Sequence, residues 1–248
     1  MRTILITIMM LAFTGTYSQT LTATDIIRKA DEKNRGLSSQ GEMQMTVIRP
    51  DWKRSVSMKV WSKGKDYSLI LITGPAKDKG NVFLRRKTEM WNWVPTIDRL
   101  IKIPPSMMLQ SWMGSDFTND DLTKQSSIVT DYKQTLLAKE TLREQECYKI
   151  ELIPNPDASV VWGKLITWIT VSGFNTWKTE FYDEDMKLVS VQTLSDIRHM
   201  GDRDIPTRIE IEPVNKKGNK TVLEILKMSF NQPLSDDYFS QQNMKSLK

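Results

Sequence analysis

Apolar and polar residues alternate along most of this chain. Met43, Met45 and Val47 alternate with Glu42, Gln44 and Thr46, and Val56, Met58 and Val60 alternate with Ser55, Ser57 and Lys59. A period of two sends successive side chains to opposite faces of a strand, so each run predicts a strand with one buried face. The segments RPDWK and SKGKD supply the turns after them. Similar runs follow as DYSLILIT, NVFLRR, EMWNWVP and RLIKI, then as CYKIELIP, KLITWITV, WKTEFY, KLVSVQTL, TRIEIEP and TVLEILKMSF. Roughly ten or eleven strands at short spacing, with no strand–helix–strand rhythm, predict one large antiparallel sheet. No low-complexity linker divides the chain, so a single domain over residues 19–248 is expected.

Helical spacing is confined to a few places. In TATDIIRKADEKNRG, Ile26, Ile27 and Ala30 share one face, Thr22 or Thr24 can cap the start, and Gly36 can end the helix. Several strands are apolar on both faces: YSLILI, MWNWV and LITWIT. A sheet with one wet face needs only one apolar face. These strands therefore predict a sheet covered twice, or one that curls around a helix.

The stretch RLIKIPPSMMLQSWMGSDFTNDDL, residues 99–122, interrupts the strand series. Pro105 suits a first helical position. Met108 lies four residues before Trp112, and Leu109 four before Met113, so a short helix with a broad apolar stripe is predicted. Gly114 would end it, and Thr118 with Asp121 forms a capping box for a second turn at NDDL. Two readings compete: a plain core plug for the open end of a curled sheet, or a movable lid over an apolar cavity. Methionine repacks against varied shapes, and the 14 methionines of the chain suit the second reading.

Composition narrows the chemistry. The formal charge is +5, with Lys and Arg interspersed among Asp and Glu rather than massed in a block, so nucleic acid is not an expected partner. Cys147 is the only cysteine, which excludes an intramolecular disulfide and a cysteine-based zinc site; it reads as a small apolar group facing into the sheet. Residues 1–18 carry Arg2, an apolar run from Ile4 to Phe13, and Thr16 and Ser18 at the −3 and −1 positions of a cleavage site. That pattern predicts a cleaved secretory signal peptide and export, without a cysteine for a lipid anchor. His199 sits in a polar loop and has no Gly-x-Ser-x-Gly motif to serve. Glu180 and Asp183 read as solvated acids rather than a glycosidase pair. Asp116, Asp120 and Asp121 lack the alternating oxygen ligands of a calcium loop. The eight tryptophans could form a sugar platform, but they suit barrel wall and edge cover better. Neither an enzyme nor a cofactor nor a metal is expected.

MWNWVP, RLIKIPP and SWMGSDFTNDDL, preceded by GPAKDKGNVFL, resemble in residue type and order the outer-membrane lipoprotein-sorting proteins, relatives of the LolA-like periplasmic carriers. The resemblance extends over the chain beyond the signal peptide. It departs at Trp112, where phenylalanine is commoner, and at Asn119, where tyrosine is. It implies a half-open antiparallel β-barrel with an N-terminal helix and short lid helices over its concave face. It also implies a cavity for the acyl chains of lipoproteins or lipids. On that reading Met107, Met108, Leu109, Trp112, Met113 and Phe117 form the lid, and Trp91, Trp93, Leu69 and Leu71 are candidate wall residues. The implied role is a monomeric carrier between membranes, served by an inner-membrane transporter and an outer-membrane acceptor. The alternative is a periplasmic sensory or adaptor domain that detects lipidated ligands.

Overall fold

The computed structural model describes residues 21–123, 127–158 and 160–247; the expected signal peptide, residues 1–18, lies outside them. Helix α1 (Ala23–Arg35) forms where the apolar spacing places it. Thr22, not Thr24, is its cap: the Thr22 side chain accepts from the N–H of Asp25, and Asp25 reaches back to the N–H of Thr22. Gly36 ends it at φ 65°, a backbone angle that favours glycine.

Thirteen strands follow among the described residues. The first six are β1 (Ser38–Ile48), β2 (Lys53–Lys63), β3 (Tyr67–Gly74), β4 (Val82–Arg86), β5 (Glu89–Val94) and β6 (Arg99–Ile103). After a crossover containing α2 (Asn119–Thr123) come β7 (Tyr132–Leu142), β8 (Gln145–Pro154), β9 (Lys164–Thr170) and β10 (Thr176–Tyr182). The last three are β11 (Leu188–Met200), β12 (Arg203–Pro213) and β13 (Lys220–Phe230), and the chain closes with α3 (Gln241–Ser246). Each of the twelve alternating runs forms a strand, which already exceeds the expected ten or eleven. The strand without a sequence signal is β7, whose residues from Leu136 to Lys139 are exposed and lack a clean alternation.

All pairings are antiparallel, in the order β6-β5-β4-β3-β2-β1-β13-β12-β11-β10-β9-β8-β7. The sheet does not close: β6 and β7 are its two edges. The chain runs outward from β1 to one edge, crosses to the other edge through residues 104–131, and returns inward to β13. The crossover must therefore span the opening of the incomplete barrel. That topology places the segment singled out in the sequence.

Cross-strand partners share a face of the sheet. The row Ile150–Thr167–Thr179–Gln192–Ile211 runs across β8, β9, β10, β11 and β12 on one face. Ile150 lies under α1 with Tyr132, Leu152, Leu165 and Phe181, packed against Ile26 and Ile27. Ile211 at the other end of the row packs with Met45, Met58, Ile70, Phe83 and Trp112. Helix α1 and the crossover thus cover adjoining parts of one inner face. The outer face of β3, β4 and β5 is covered by the C-terminal segment, where Phe239 and Met244 are fully buried against Leu69, Leu71, Trp91 and Trp93. This double cover is why those strands are apolar on both sides. In β9 the inner residues Leu165 and Ile169 lie under α1, while Trp168 faces outward between the ammonium groups of Lys149 and Lys178, 5.1 and 4.4 Å from its ring.

The ladder is irregular where the first and last strands of the sheet meet. The register of β1 on β13 shifts between Glu42 and Met43, and Gly41 just before it lets the backbones close up. A Cβ on Gly41 would stand 2.2 Å from the Lys227 carbonyl oxygen. A bulge bends and twists its strand, as closing a sheet toward a barrel requires.

Candidate functional site

The crossover is built as a folded loop rather than as the predicted helix. A short 3-10 turn at Pro105–Met107 and another at Trp112–Gly114 are its helical pieces before α2. Between them the loop doubles back: the N–H of Trp112 donates to the Phe117 carbonyl at 2.8 Å, and that of Asn119 to Gln110 at 3.0 Å. Asp120 N–H donates to Met108 at 3.2 Å, and the Asn119 side chain donates to the Met107 carbonyl at 2.8 Å. The helix fails because Met113 and Gly114 take φ 50° and 72°, which reverse the chain and allow this pairing. The capping box beyond it forms as the sequence indicates. Thr118 N–H donates to the Asp121 carboxylate at 2.8 Å, and Asp121 N–H to the Thr118 hydroxyl at 3.0 Å.

The loop drives its aromatic residues into the inner face. Trp112 is 1% exposed, with its ring centroid 5.1 Å from that of Phe83. Phe117 is buried in the same cluster, and Met108 and Met113 pack against it half-buried. Met107 and Leu109 are instead exposed, because the loop is not a helix and its fourfold stripe is not maintained. Of the residues expected to form a lid, Trp112 and Phe117 are buried and Met108 and Met113 flank them.

Polar side chains pin the far end of the loop. Arg49, just past β1, pairs with Asp116 at 2.9 Å and donates to the Gly114 carbonyl at 3.0 Å. Arg54 on β2 donates to the Met113 carbonyl. Thr221 on β13 accepts from the Asp116 N–H at 3.0 Å and donates to its carboxylate at 2.7 Å. Asp116 is thus committed to an ion pair and a hydroxyl, and Asp121 to its cap.

The expected wall residues need correction. Leu69, Leu71, Trp91 and Trp93 lie on the outer face beneath the C-terminal cover, not on the face that holds Trp112. Strands apolar on both sides do not reveal which side faces in. Trp112 and Phe117 pack instead in one cluster with Met45, Met58, Ile70, Ile72, Phe83 and Met90. A sequence signal for them existed: β1 and β2 alternate cleanly over Met43–Val47 and Val56–Val60, and pairing outward from Met58 leads to Ile72, and from Val60 to Ile70 and Phe83.

A cleft of about 400 Å³ opens at the seam between the crossover cluster and the α1 cluster. Leu109, Ser111 and Phe117 line it from the crossover, Trp162 from the β8–β9 loop, Ser190 from β11 and Pro213 from the end of β12. Its size falls within the roughly 300–1,000 Å³ of small-ligand sites. A second cleft of about 520 Å³ lies on the outer face by the β4–β5 turn, away from both inner clusters.

The remaining candidate chemistry is placed elsewhere. His199 Nδ1 lies 2.9 Å from the Asp204 carboxylate on the exposed β11–β12 hairpin. Glu180 accepts from Lys178 and Tyr182 on the outer face of β10. Cys147 is buried, and burial pushes its thiol up. Among the described residues no helix is long and apolar enough to cross a membrane.

A family model described as an uncharacterized protein matches residues 64–246. No curated protein matches the chain. Among solved structures, a LolA superfamily protein from Nitrosomonas europaea is 27% identical with a TM-score of 0.78, covering 90% of this chain and 99% of that one. A protein described as an outer membrane lipoprotein-sorting domain, from Vibrio parahaemolyticus, is 21% identical with a TM-score of 0.80, over 90% of this chain and 98% of that one. A DUF1329 family protein from Desulfovibrio piger is 23% identical with a TM-score of 0.78, over 90% and 97%.

Proposed function

This chain belongs to the LolA superfamily of outer-membrane lipoprotein-sorting proteins, and from that premise we propose that it is a periplasmic carrier for the acyl chains of lipoproteins or lipids. The observation that carries the proposal is the crossover itself: one loop spans the mouth of an open barrel and seats Trp112 in the apolar inner face. In this state the lid is shut, and its own aromatic residues occupy the ground an acyl chain would take.

Magnitudes support an exchange between the two. An acyl chain gains about 0.8 kcal/mol per buried CH₂, so ~15 methylenes supply roughly 12 kcal/mol before costs. Burying one tryptophan, ~200 Å² at ~25 cal/mol per Å², supplies about 5 kcal/mol. The chain can therefore displace the lid, and the lid in turn lowers the net affinity and promotes release. Among the described residues the indole N–H of Trp112 has no hydrogen-bond partner, which weakens closure further by about 1–3 kcal/mol.

The carrier is a single domain over residues 19–248, exported by the signal peptide of residues 1–18. It is a binding protein rather than an enzyme, monomeric, and takes its cargo from an inner-membrane transporter to an outer-membrane acceptor. Uptake of a fluorescent fatty acid by the purified chain tests the binding step. Met108→Gln with Trp112→Gln in a folded variant should change that uptake, and unchanged uptake removes the lid from the account. Transfer of labelled lipid from donor to acceptor vesicles separates a carrier from a sensor, which binds without moving cargo.

A further inference from the structure

The cleft at the seam has a chemical character beyond its greasy walls. Ser190 is 5% exposed and lines the cleft from β11, and among the described residues its hydroxyl oxygen has no hydrogen-bond partner. Trp162 also lines the cleft, its ring centroid 5.1 Å from that of Phe181 and tilted to it, and among the described residues its indole N–H likewise has none. Buried polar groups are nearly always paired, and two of the unpartnered ones among the described residues belong to side chains that line this one cleft. The indole nitrogen is only a donor, and a serine hydroxyl can donate. A partner that suits either is an acceptor oxygen. Arg49 and Lys216 also line the cleft against the single carboxylate of Asp116, which leaves its field positive.

We propose that this cleft binds the oxygen-bearing end of an acyl ligand, with Ser190 and Trp162 donating to its carboxyl or ester oxygen and Lys216 favouring a carboxylate. The inference rests on the carrier reading and deepens it: the tail displaces the lid from the inner face, while the head stays at the seam. Phe117 joins the two places, since it is buried beside Trp112 and also lines the cleft.

Displacement of a fluorescent fatty acid by palmitate, methyl palmitate and hexadecane, each delivered from cyclodextrin, tests the assignment on the full mature chain. The wild type should prefer palmitate to hexadecane by about tenfold or more. Ser190→Ala and Trp162→Phe should each weaken palmitate about five- to tenfold, the worth of one hydrogen bond, and leave hexadecane within about twofold. The melting temperature of Ser190→Ala should be unchanged or higher, because the lost hydroxyl had no partner. Lys216→Gln should weaken palmitate but not methyl palmitate if the oxygen is a carboxylate. If methyl palmitate matches palmitate and is weakened alike by the first two variants, an ester oxygen is the one recognised. Equal binding of palmitate and hexadecane, or equal loss of both in the variants, overturns the head site while leaving the carrier intact. Failure of all three ligands to bind overturns the carrier reading, and the head site with it.

Discussion

Arg49 and Asp116 pair at 2.9 Å with only 14% and 8% of their side chains exposed, and this pair fastens the tip of the crossover to the end of β1. The same carboxylate holds Thr221 on β13, so one acid ties the loop to both central strands of the sheet. Removing one partner of a shielded pair leaves the other charge unmatched, which costs about 3 kcal/mol. Asp116→Ala should therefore lower the melting temperature by roughly 6–12 °C for a chain of this size. The amides of residues 108–120 should exchange faster with deuterium than in the wild type. A variant that melts early but keeps wild-type protection across that loop would show that the pair stabilises the sheet and not the lid.

Phe83 is the seat on which the Trp112 ring rests, at 5.1 Å between centroids. Phe83→Leu removes part of the seat but keeps the strand apolar, at a cost of about 1 kcal/mol. Stopped-flow mixing with a fluorescent fatty acid should then show uptake accelerated several-fold, since the shut lid is the state made weaker. An unchanged rate would mean that lid opening does not limit uptake.

The sequence made most of the fold legible because most strands have a cleanly alternating face. Met43, Met45 and Val47 against Glu42, Gln44 and Thr46 could form little else, and a threonine cap at Thr22 or Thr24 with Gly36 bounded α1 within a residue or two. Two things were not legible. The lid looked helical because Met108–Trp112 and Leu109–Met113 keep a spacing of four, whereas the loop is shaped by the Met113–Gly114 reversal and by backbone bonds to residues 117–120. Those bonds are non-local within the segment and leave no periodicity. The inner wall was also hidden. In β3 and β5 both faces are apolar, and only the burial of Phe239 and Met244 shows which side the C-terminal segment covers.

That outer cover supplies a test of the face assignment. Phe239 is fully buried against Leu69, Leu71 and the Trp91–Trp93 strand. Phe239→Ala should cost about 3–5 kcal/mol, read by urea unfolding. Fatty-acid affinity measured on the folded fraction should stay within about twofold of the wild type, because the cover is on the far side of the sheet from Trp112. Met58→Ala, from the inner wall, should instead alter affinity as well as stability. Were the two variants to shift affinity equally, the separation of the faces as ligand-binding and structural would fail.

Acid sensitivity follows from two half-buried carboxylates on the outer face. Burial raises the pKa of Glu180, but hydrogen bonds from Lys178 and Tyr182 outweigh it and hold the carboxyl below its ordinary 4.5. Glu210 is likewise raised by burial and lowered further by Arg208 and Lys220, ending below the same value. A carboxylate whose folded pKa is depressed adds stability that is complete above the unfolded value and vanishes as pH falls through the folded one. The melting temperature should thus hold level from neutral pH to about 5 and fall below roughly 4.5. Glu180→Gln with Glu210→Gln should start lower at neutral pH and decline less steeply. Tyr182 sets an opposite limb: burial and the Glu180 carboxylate push its hydroxyl up to about 12, so the neutral donor is favoured in the folded chain and stability declines as pH rises past about 10. Tyr182→Phe should remove the share of that alkaline decline due to this hydroxyl, and also move the acid limb upward, because Glu180 loses one of its two donors. A variant that leaves both limbs where they are in the wild type would show that these bonds do not set the pH range of the fold.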